Sequence, residues 1–509
     1  MSARSLMIQG TASDVGKSVI VTAICRILSN EGFKVAPFKA QNMALNSTVT
    51  RDGKEIGRAQ GVQAEAARIE PEVEMNPILL KPVSDNVAQV VVEGKPIGNL
   101  SAEQYFEKKS DFLSIVETSI NKLKEDYEYI IIEGAGSPAE INLKHRDIVN
   151  METARMAKAP VILVADIDRG GMFASIIGTL ELLDPSEADL VKGLIVNKFR
   201  GKESLLKSGL DYIFNRTNIP ILGVIPFING LEIEAEDSFC IDKPSEIVKK
   251  EGAFLEVAII KLPHISNFTD IDALKREADV DIRFIEKRGE LRDADLIIIP
   301  GTKSTIKSLY FLRETGLSDD IIDFASSGRP VIGICGGFQL LGRRLDDRDG
   351  IETDHLEAKG LELLPVDTEF TANKITRQSK MSVYGSGPVL EHIEGEIIKG
   401  YEIHNGVTMS HEEVPFSINI DDQSPDGAVN KNGNVMGTYL HGIFDNDGFR
   451  RKLLDHISSI KNPYEHRTTS TLSNAALKDA EYERLADVIS ERLDISIIYD
   501  LLKIDKAKV

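Results

Sequence analysis

Apolar residues fall in short β-branched runs, separated by longer stretches of helical period, from one end of the chain to the other. In the first half, the runs 6–9, 34–38, 129–133, 161–166, 193–197 and 221–225 predict strands. The intervening stretches 17–30, 102–126 and 147–157 carry helical patterns. Runs apolar on both faces and spaced by helices predict parallel strands with crossovers on both sides, which is a doubly wound α/β sheet. Loops that bind ligands are then expected at the carboxyl ends of the strands.

The alternation lapses at 242–252 (DKPSEIVKKEG) into charged, proline-containing sequence. It restarts with 255–260, 282–284, 296–299 and 331–334, followed by a β-rich stretch up to Tyr439. A domain boundary is therefore expected at 245–253, between an α/β domain over 1–245 and a second over 253–460. Residues 461–509 read as a charged, amphipathic helical extension without motif residues. No repeat or low-complexity tract is present.

Composition narrows the class of protein. Of 509 residues, 42% are hydrophobic and 28% charged, ordinary for a globular chain. Sixty basic against 80 acidic side chains leave a net charge of −20, which disfavours coating nucleic acid or a membrane. A phosphate site must then be a local pocket of backbone N–H groups and a few cations. The three cysteines, Cys25, Cys240 and Cys335, are too few and too scattered for a disulfide framework or a zinc cluster. The N-terminus shows no secretion signal, and the longest apolar runs fall far below the ~20 residues of a membrane helix. A cytoplasmic protein is expected.

Residues 8–18 (IQGTASDVGKS) follow the first strand and open a helix. Gly10, Thr11 and Gly16 let several N–H groups face one anion. Lys17 adds a cation, and the Ser18 hydroxyl can reach Mg²⁺. The spacing is one residue longer than the standard G-x4-G-K-[ST] loop. Glu133, ending YIIIEGAGS, is placed to hold Mg²⁺ directly or through water, or to cap a helix. Asn197, in GLIVNKFRG, can read an adenine edge with its amide. Lys39, after the second strand in VAPFKAQNMALNS, should reach the same rim, and the polar loop after it suits a hydrogen-bonding substrate. The aspartates of DIDRGGMFAS are metal or substrate ligands, or solvated turn residues.

In the second half, RPVIGICGGFQLLG reads as strand, tight turn and helix with Cys335 at the turn. Small neighbours permit a strained elbow that exposes a nucleophilic thiol, and the backbone N–H groups beyond it can stabilise an oxyanion. His441, at the end of a strand in GTYLHGIFD, is the preferred base over Glu402 and His404 of GYEIHNG. Gly301, ending LIIIPGTKST, can complete the oxyanion hole. Cys25 and Cys240 read as structural.

These motifs carry a family resemblance. The first half resembles dethiobiotin synthetase, in its lengthened phosphate loop and in the matching Lys39, EGAG and Asn197. The second half resembles class I, triad-type glutamine amidotransferases, in the Cys335 elbow, Gln339 and His441. The fusion, with KAQNMALNS, EGAGSPAEINL, DIDRGGMFAS, NKFRG and YEIHNG, is similar to the cobyric acid synthase family of cobalamin biosynthesis. That resemblance implies ATP- and Mg²⁺-dependent amidation of carboxylates on a corrinoid, with nitrogen from glutamine. Its partners are small molecules only, neither nucleic acid nor membrane. Two departures stand out. Ile443 occupies the place where triad enzymes carry a glutamate, and no acidic residue near 58–63 matches the synthetase aspartate that assists Mg²⁺. The a,c-diamide synthases are the nearest alternative family, and P-loop partitioning ATPases a more distant one.

Overall fold

The computed structural model describes residues 3–84, 86–234, 250–353, 357–411, 414–462, 464 and 473–505. The chain forms two units. Met1–Ala44, Lys54–Glu234 and Leu477–Val509 make the first, and Leu45–Gly53 with Ala235–Ala476 make the second. Most of the expected boundary segment, and Cys240, lie outside the described residues.

The first unit is built on a six-stranded parallel sheet. Its order is Ile221–Pro226, Val191–Phe199, Val161–Asp166, Arg4–Gly10, Tyr129–Glu133 and Val35–Phe38. Successive side chains serve opposite faces, as strand geometry requires. Met7, Ile130 and Ile132 pack with Phe112, Val116 and Ile120 of helix Lys109–Asp126. Leu6, Ile8 and Ile131 pack instead with Ile20 and Ile24 of helix Lys17–Asn30. An antiparallel extension of Ile78–Ser84, Val87–Val92 and Lys95–Ser101 interrupts the α/β alternation. It was not evident from periodicity.

The C-terminal residues are not a separate extension. Helices Asn474–Arg492 and Ile495–Leu502 place Leu485, Ile489, Leu493, Ile498 and Leu502 in the same apolar cluster as Leu6 and Ile8. Their apolar stripe covers a sheet face that one helix alone leaves open to water. Arg26, fully buried, binds Asp479 at 2.5 Å and Glu483 at 3.3 Å, and its guanidinium lies over the Tyr482 ring. The carboxyl of Glu234 sits between Arg58 and Lys478, whose charges outweigh its burial and hold it far below the ordinary range.

The second unit has its own six-stranded sheet. The order is Val280–Ile285, Leu255–Ile260, Leu296–Ile299, Val331–Ile334, Val435–Thr438 and Ala428–Val429, parallel except at the last pair. The long antiparallel pair Val366–Val383 and Ile397–Ser410 belongs to a further sheet. Among the described residues no helix is long and apolar enough to cross a membrane.

Candidate active sites

In the first unit the phosphate loop spans the gap between strand Arg4–Gly10 and helix Lys17–Asn30. Gly16 stands at φ +98, and a Cβ there would fall 2.2 Å from the Asn197 amide nitrogen, so only glycine fits. Lys17 is buried, with Nζ donating to the Ala12 and Gly136 carbonyls at 3.1 and 3.2 Å. The lysine thereby closes the loop against the EGAG turn.

Glu133 is the centre of this site. Its carboxylate, 1% exposed, accepts from Ser18 Oγ at 2.9 Å, Lys39 Nζ at 2.9 Å and Gln63 Nε2 at 2.5 Å. Burial opposes its ionisation. The charge and hydrogen bond of Lys39, the Gln63 amide and the Lys17 charge prevail, holding the carboxyl below the usual range. The oxygens of Ser18 and Glu133 thus lie side by side beside two cations, a donor set that fits a divalent cation carried with a polyphosphate. Gln63 was missed by sequence reading. It occupies the region where no acidic residue was found, and an amide on a helix gives no local signal of such a role.

Asn197 lies against the phosphate loop. Buried at the end of its strand, it donates Nδ2 to the Val15 carbonyl at 2.8 Å and braces the phosphate loop. Lys198 binds Asp166 Oδ2 at 2.9 Å and also the Asp14 carbonyl, while Arg169 reaches Asp14 at 3.1 Å. DIDRGG is therefore tied to the phosphate loop by an ion pair, and NKFRG by hydrogen bonds to the Asp14 and Val15 carbonyls. Thr11 continues the first strand, its N–H donating to the Val164 carbonyl.

In the second unit Cys335 stands between strand Val331–Ile334 and helix Gly336–Leu341 at φ +52, ψ −108. This is the strained elbow the small neighbours predicted. Its thiol donates to the Ile403 carbonyl at 3.6 Å and is one of the groups that raise the pKa of His441. His441 Nδ1 is 2.7 Å from Asp270 Oδ2, and Asp270 Oδ1 accepts from the Gly442 N–H at 2.8 Å. Both residues are buried. Burial disfavours the imidazolium, but the charge and hydrogen bond of Asp270 and the adjacent Cys335 raise the His441 pKa to about 10.

Asp270 fills the place left vacant by Ile443. It lies in the 3-10 turn Phe268–Ile271, far from His441 in sequence, and Ile443 packs in the apolar core. Gly301 lies against the histidine, where a Cβ would come within 3.2 Å of His441 Cε1. The competing residues are otherwise engaged. Glu402 binds Ser379 at 2.5 Å and Arg377 at 2.8 Å. His404 pairs Nδ1 with the Gly406 carbonyl and stacks on Tyr439 at 3.6 Å. Gln339, one helical turn beyond the thiol, accepts from Thr305 Oγ1 at 2.9 Å and donates to Tyr439 Oη at 3.1 Å. Glu352, also unforeseen, takes the N–H and hydroxyl of Thr305, and its burial pushes its carboxyl up to about 7. Cys25 sits deep in the first unit's core, where burial pushes its thiol far up, a structural cysteine as expected.

A polyphosphate loop in one unit and a Cys–His–Asp site in the other define an ATP-using enzyme with an attached glutamine amidotransferase. Comparison with known proteins agrees with both halves. Residues 6–238 match the CobQ/CobB/MinD/ParA nucleotide binding domain, and residues 256–449 match the CobB/CobQ-like glutamine amidotransferase domain. The cobyric acid synthase of Pelotomaculum thermopropionicum is 47% identical, across 98% of this chain and 97% of that protein. Those of Dehalococcoides mccartyi (46%, 98% of each chain) and Clostridium botulinum (46%, 98% of this chain and 99% of that one) are similarly close. The chain belongs to the cobyric acid synthase family, glutamine-dependent amidating ligases of cobalamin biosynthesis.

Proposed function

We propose that the chain amidates peripheral carboxylates of adenosylcobyrinic acid a,c-diamide to give adenosylcobyric acid, with ATP and glutamine consumed in separate units. The observation that carries this reading is the Cys335–His441–Asp270 arrangement, in a chain that also holds a complete phosphate loop. A carboxylate is a poor acyl donor. Its oxygen attacks the γ-phosphorus of ATP, ADP leaves, and an acyl phosphate results. Gly10, Thr11, Gly16, Lys17 and Lys39 face or border the phosphates, Asn197 keeps the loop in shape, and Ser18 and Glu133 would hold Mg²⁺. When bound, that ion neutralises phosphate charge.

In the other unit the Cys335 thiolate attacks the side-chain amide of glutamine, and His441 protonates the departing ammonia. Asp270 fixes the ring so that Nε2 faces the sulfur. Water then hydrolyses the thioester to glutamate. Ammonia attacks the acyl phosphate, and inorganic phosphate leaves. Free ammonia is mostly protonated near neutral pH, so guarded delivery is part of the proposal. Labelled bulk ammonium entering the product during glutamine-driven turnover would rule it out. A free, reactive thiol suits a reducing cytoplasm.

The test is mass spectrometry of the corrinoid diamide after incubation with protein, ATP, Mg²⁺ and glutamine. Each carboxyl converted to carboxamide lowers the mass by a fixed step, which counts the amidations. A corrinoid of unchanged mass, with ATP and glutamine both consumed, would refute the substrate assignment.

A further inference from the structure

Asn267 stands at φ +52 in the turn leading to Asp270, and it is 3% exposed. Its amide has two neighbours. Oδ1 accepts from the Ser47 backbone N–H at 3.0 Å, and Nδ2 lies 3.3 Å from His441 Nε2. A backbone N–H can only donate, so Ser47 fixes which end of the amide is which. The end presented to the imidazole is therefore a donor.

Ser47 does not act alone. Asn46 Oδ1 accepts from the Phe268 N–H at 3.2 Å, and the Val49 carbonyl accepts from Gln378 Nε2 at 2.9 Å. Asn46 and Ser47 are each 1% exposed. These residues come from KAQNMALNS, the polar loop read from sequence as substrate-binding. Leu45–Gly53 belongs to the second unit, although the chain on either side, at Ala44 and Lys54, belongs to the first.

We propose that Asn267 is a positioning residue of the glutaminase, oriented by Leu45–Gly53, whose amide donates to His441 Nε2 and restrains activation of the Cys335 thiol. The inference rests on the assignment of Cys335 and His441 as nucleophile and base. A donor at Nε2 meets a lone pair only on the neutral ring, with the ring proton on Nδ1 against Asp270, so this hydrogen bond works against the charges of Asp270 and Cys335 that raise the His441 pKa. Among the described residues, Asp270, Cys335, the Asn267 amide, Gly301 and Tyr401, whose ring stacks on it at 5.3 Å, face the ring. Asp270 and a thiolate favour the imidazolium, whereas Asn267 opposes it.

Moving the thiol proton to Nε2 means giving up the Asn267 hydrogen bond. While Ser47 is seated, the amide cannot turn its oxygen to the protonated ring. Once residues 46–47 shift, rotation of that single side chain converts an opposing donor into a supporting acceptor. The segment that sets this choice is continuous in sequence, at both ends, with the ATP-binding unit.

The experiment follows Cys335 alkylation by iodoacetamide against pH in the full-length protein, with glutamine hydrolysis measured in the absence of ATP. Asn267→Ala removes the donor, so the alkylation midpoint falls by about one pH unit, as expected for one neutral hydrogen bond. ATP-independent hydrolysis rises several-fold. Asn267→Asp keeps the shape and the Ser47 contact while offering oxygen to the protonated ring, and it lowers the midpoint further. A merely structural role would reduce turnover in both variants without moving the midpoint. An unchanged or raised midpoint in both overturns the proposal. Ser47→Pro deletes the orienting N–H and should act in the direction of Asn267→Ala; a wild-type midpoint removes Leu45–Gly53 from the mechanism. Cys335→Ser keeps the underlying assignment separate: if hydrolysis survives that change, the site reading itself fails, whatever Asn267 does.

Discussion

The two sites solve opposite electrostatic problems with similar architecture, each at the carboxyl ends of parallel strands. In the first unit the buried carboxylate of Glu133 is surrounded by donors: Lys39, Ser18 and Gln63, with Lys17 nearby. The excess of positive charge suits a ligand that brings its own negative charge. In the second unit the buried Asp270 carboxylate is paired with the His441 ring, which lies beside the Cys335 thiol. That pocket suits a neutral amide, and its charges move only as the reaction proceeds. A site for a polyanion can be left unbalanced until its ligand arrives, whereas a nucleophilic site must be balanced before it.

The sharpest way to break this comparison is Cys335→Ala. Glutamine-driven amidation should fall by roughly 10⁴-fold or more, while amidation from high ammonium continues. Product assays with each nitrogen source decide it, and loss of both would mean that the units are not chemically separable. Asp270→Asn comes next, with kcat for glutamine hydrolysis falling on the order of 10³-fold and KM little changed in steady-state kinetics. A variant of wild-type activity would remove Asp270 from the site. Glu133→Gln should reduce amidation from both nitrogen sources equally, by about 10²-fold, and leave iodoacetamide labelling of Cys335 untouched. A defect confined to glutamine would overturn the assignment of Glu133 to the phosphate site.

Smaller effects concern stability. Arg26→Ala removes a fully buried side chain whose partners Asp479 and Glu483 are themselves half-exposed and solvated, so the cost should be about 1 kcal/mol, seen as a lower thermal midpoint. An unchanged midpoint would show that the C-terminal helices are held by apolar contacts alone. The last effect depends on pH. The native His441 pKa is raised from 6.5 to about 10, so its stabilising pairing is complete below about pH 6.5 and is lost as pH climbs toward 10. Asp270→Asn should flatten that slope in denaturant titrations across the range.

Much of this was legible before any coordinates. The phosphate loop and the elbow are contiguous stretches in which a strand end, small residues and the reactive side chain occur together. Each carries its geometry locally, and the strands over 129–133, 161–166, 255–260 and 331–334 fall where apolar runs put them. Other features had no local signal. Asp270 and Gln63 reach their partners only because segments distant in the chain converge. Asn197 sits at the expected strand end, and its contact with the Val15 carbonyl is a pairing that local sequence did not announce.

What the chain's own order of residues determined, then, was the kind of elements, the two reactive motifs and the chemistry they permit, because hydrophobic period and backbone strain act over a few residues. Tertiary structure alone decided which carboxylate orients His441, which helices close the first core, and in which unit Leu45–Gly53 lies. Those outcomes depend on burial and on pairing polar groups across long sequence separations. A buried donor or carboxylate takes whichever partner the fold delivers, and the linear pattern of residues does not encode that meeting.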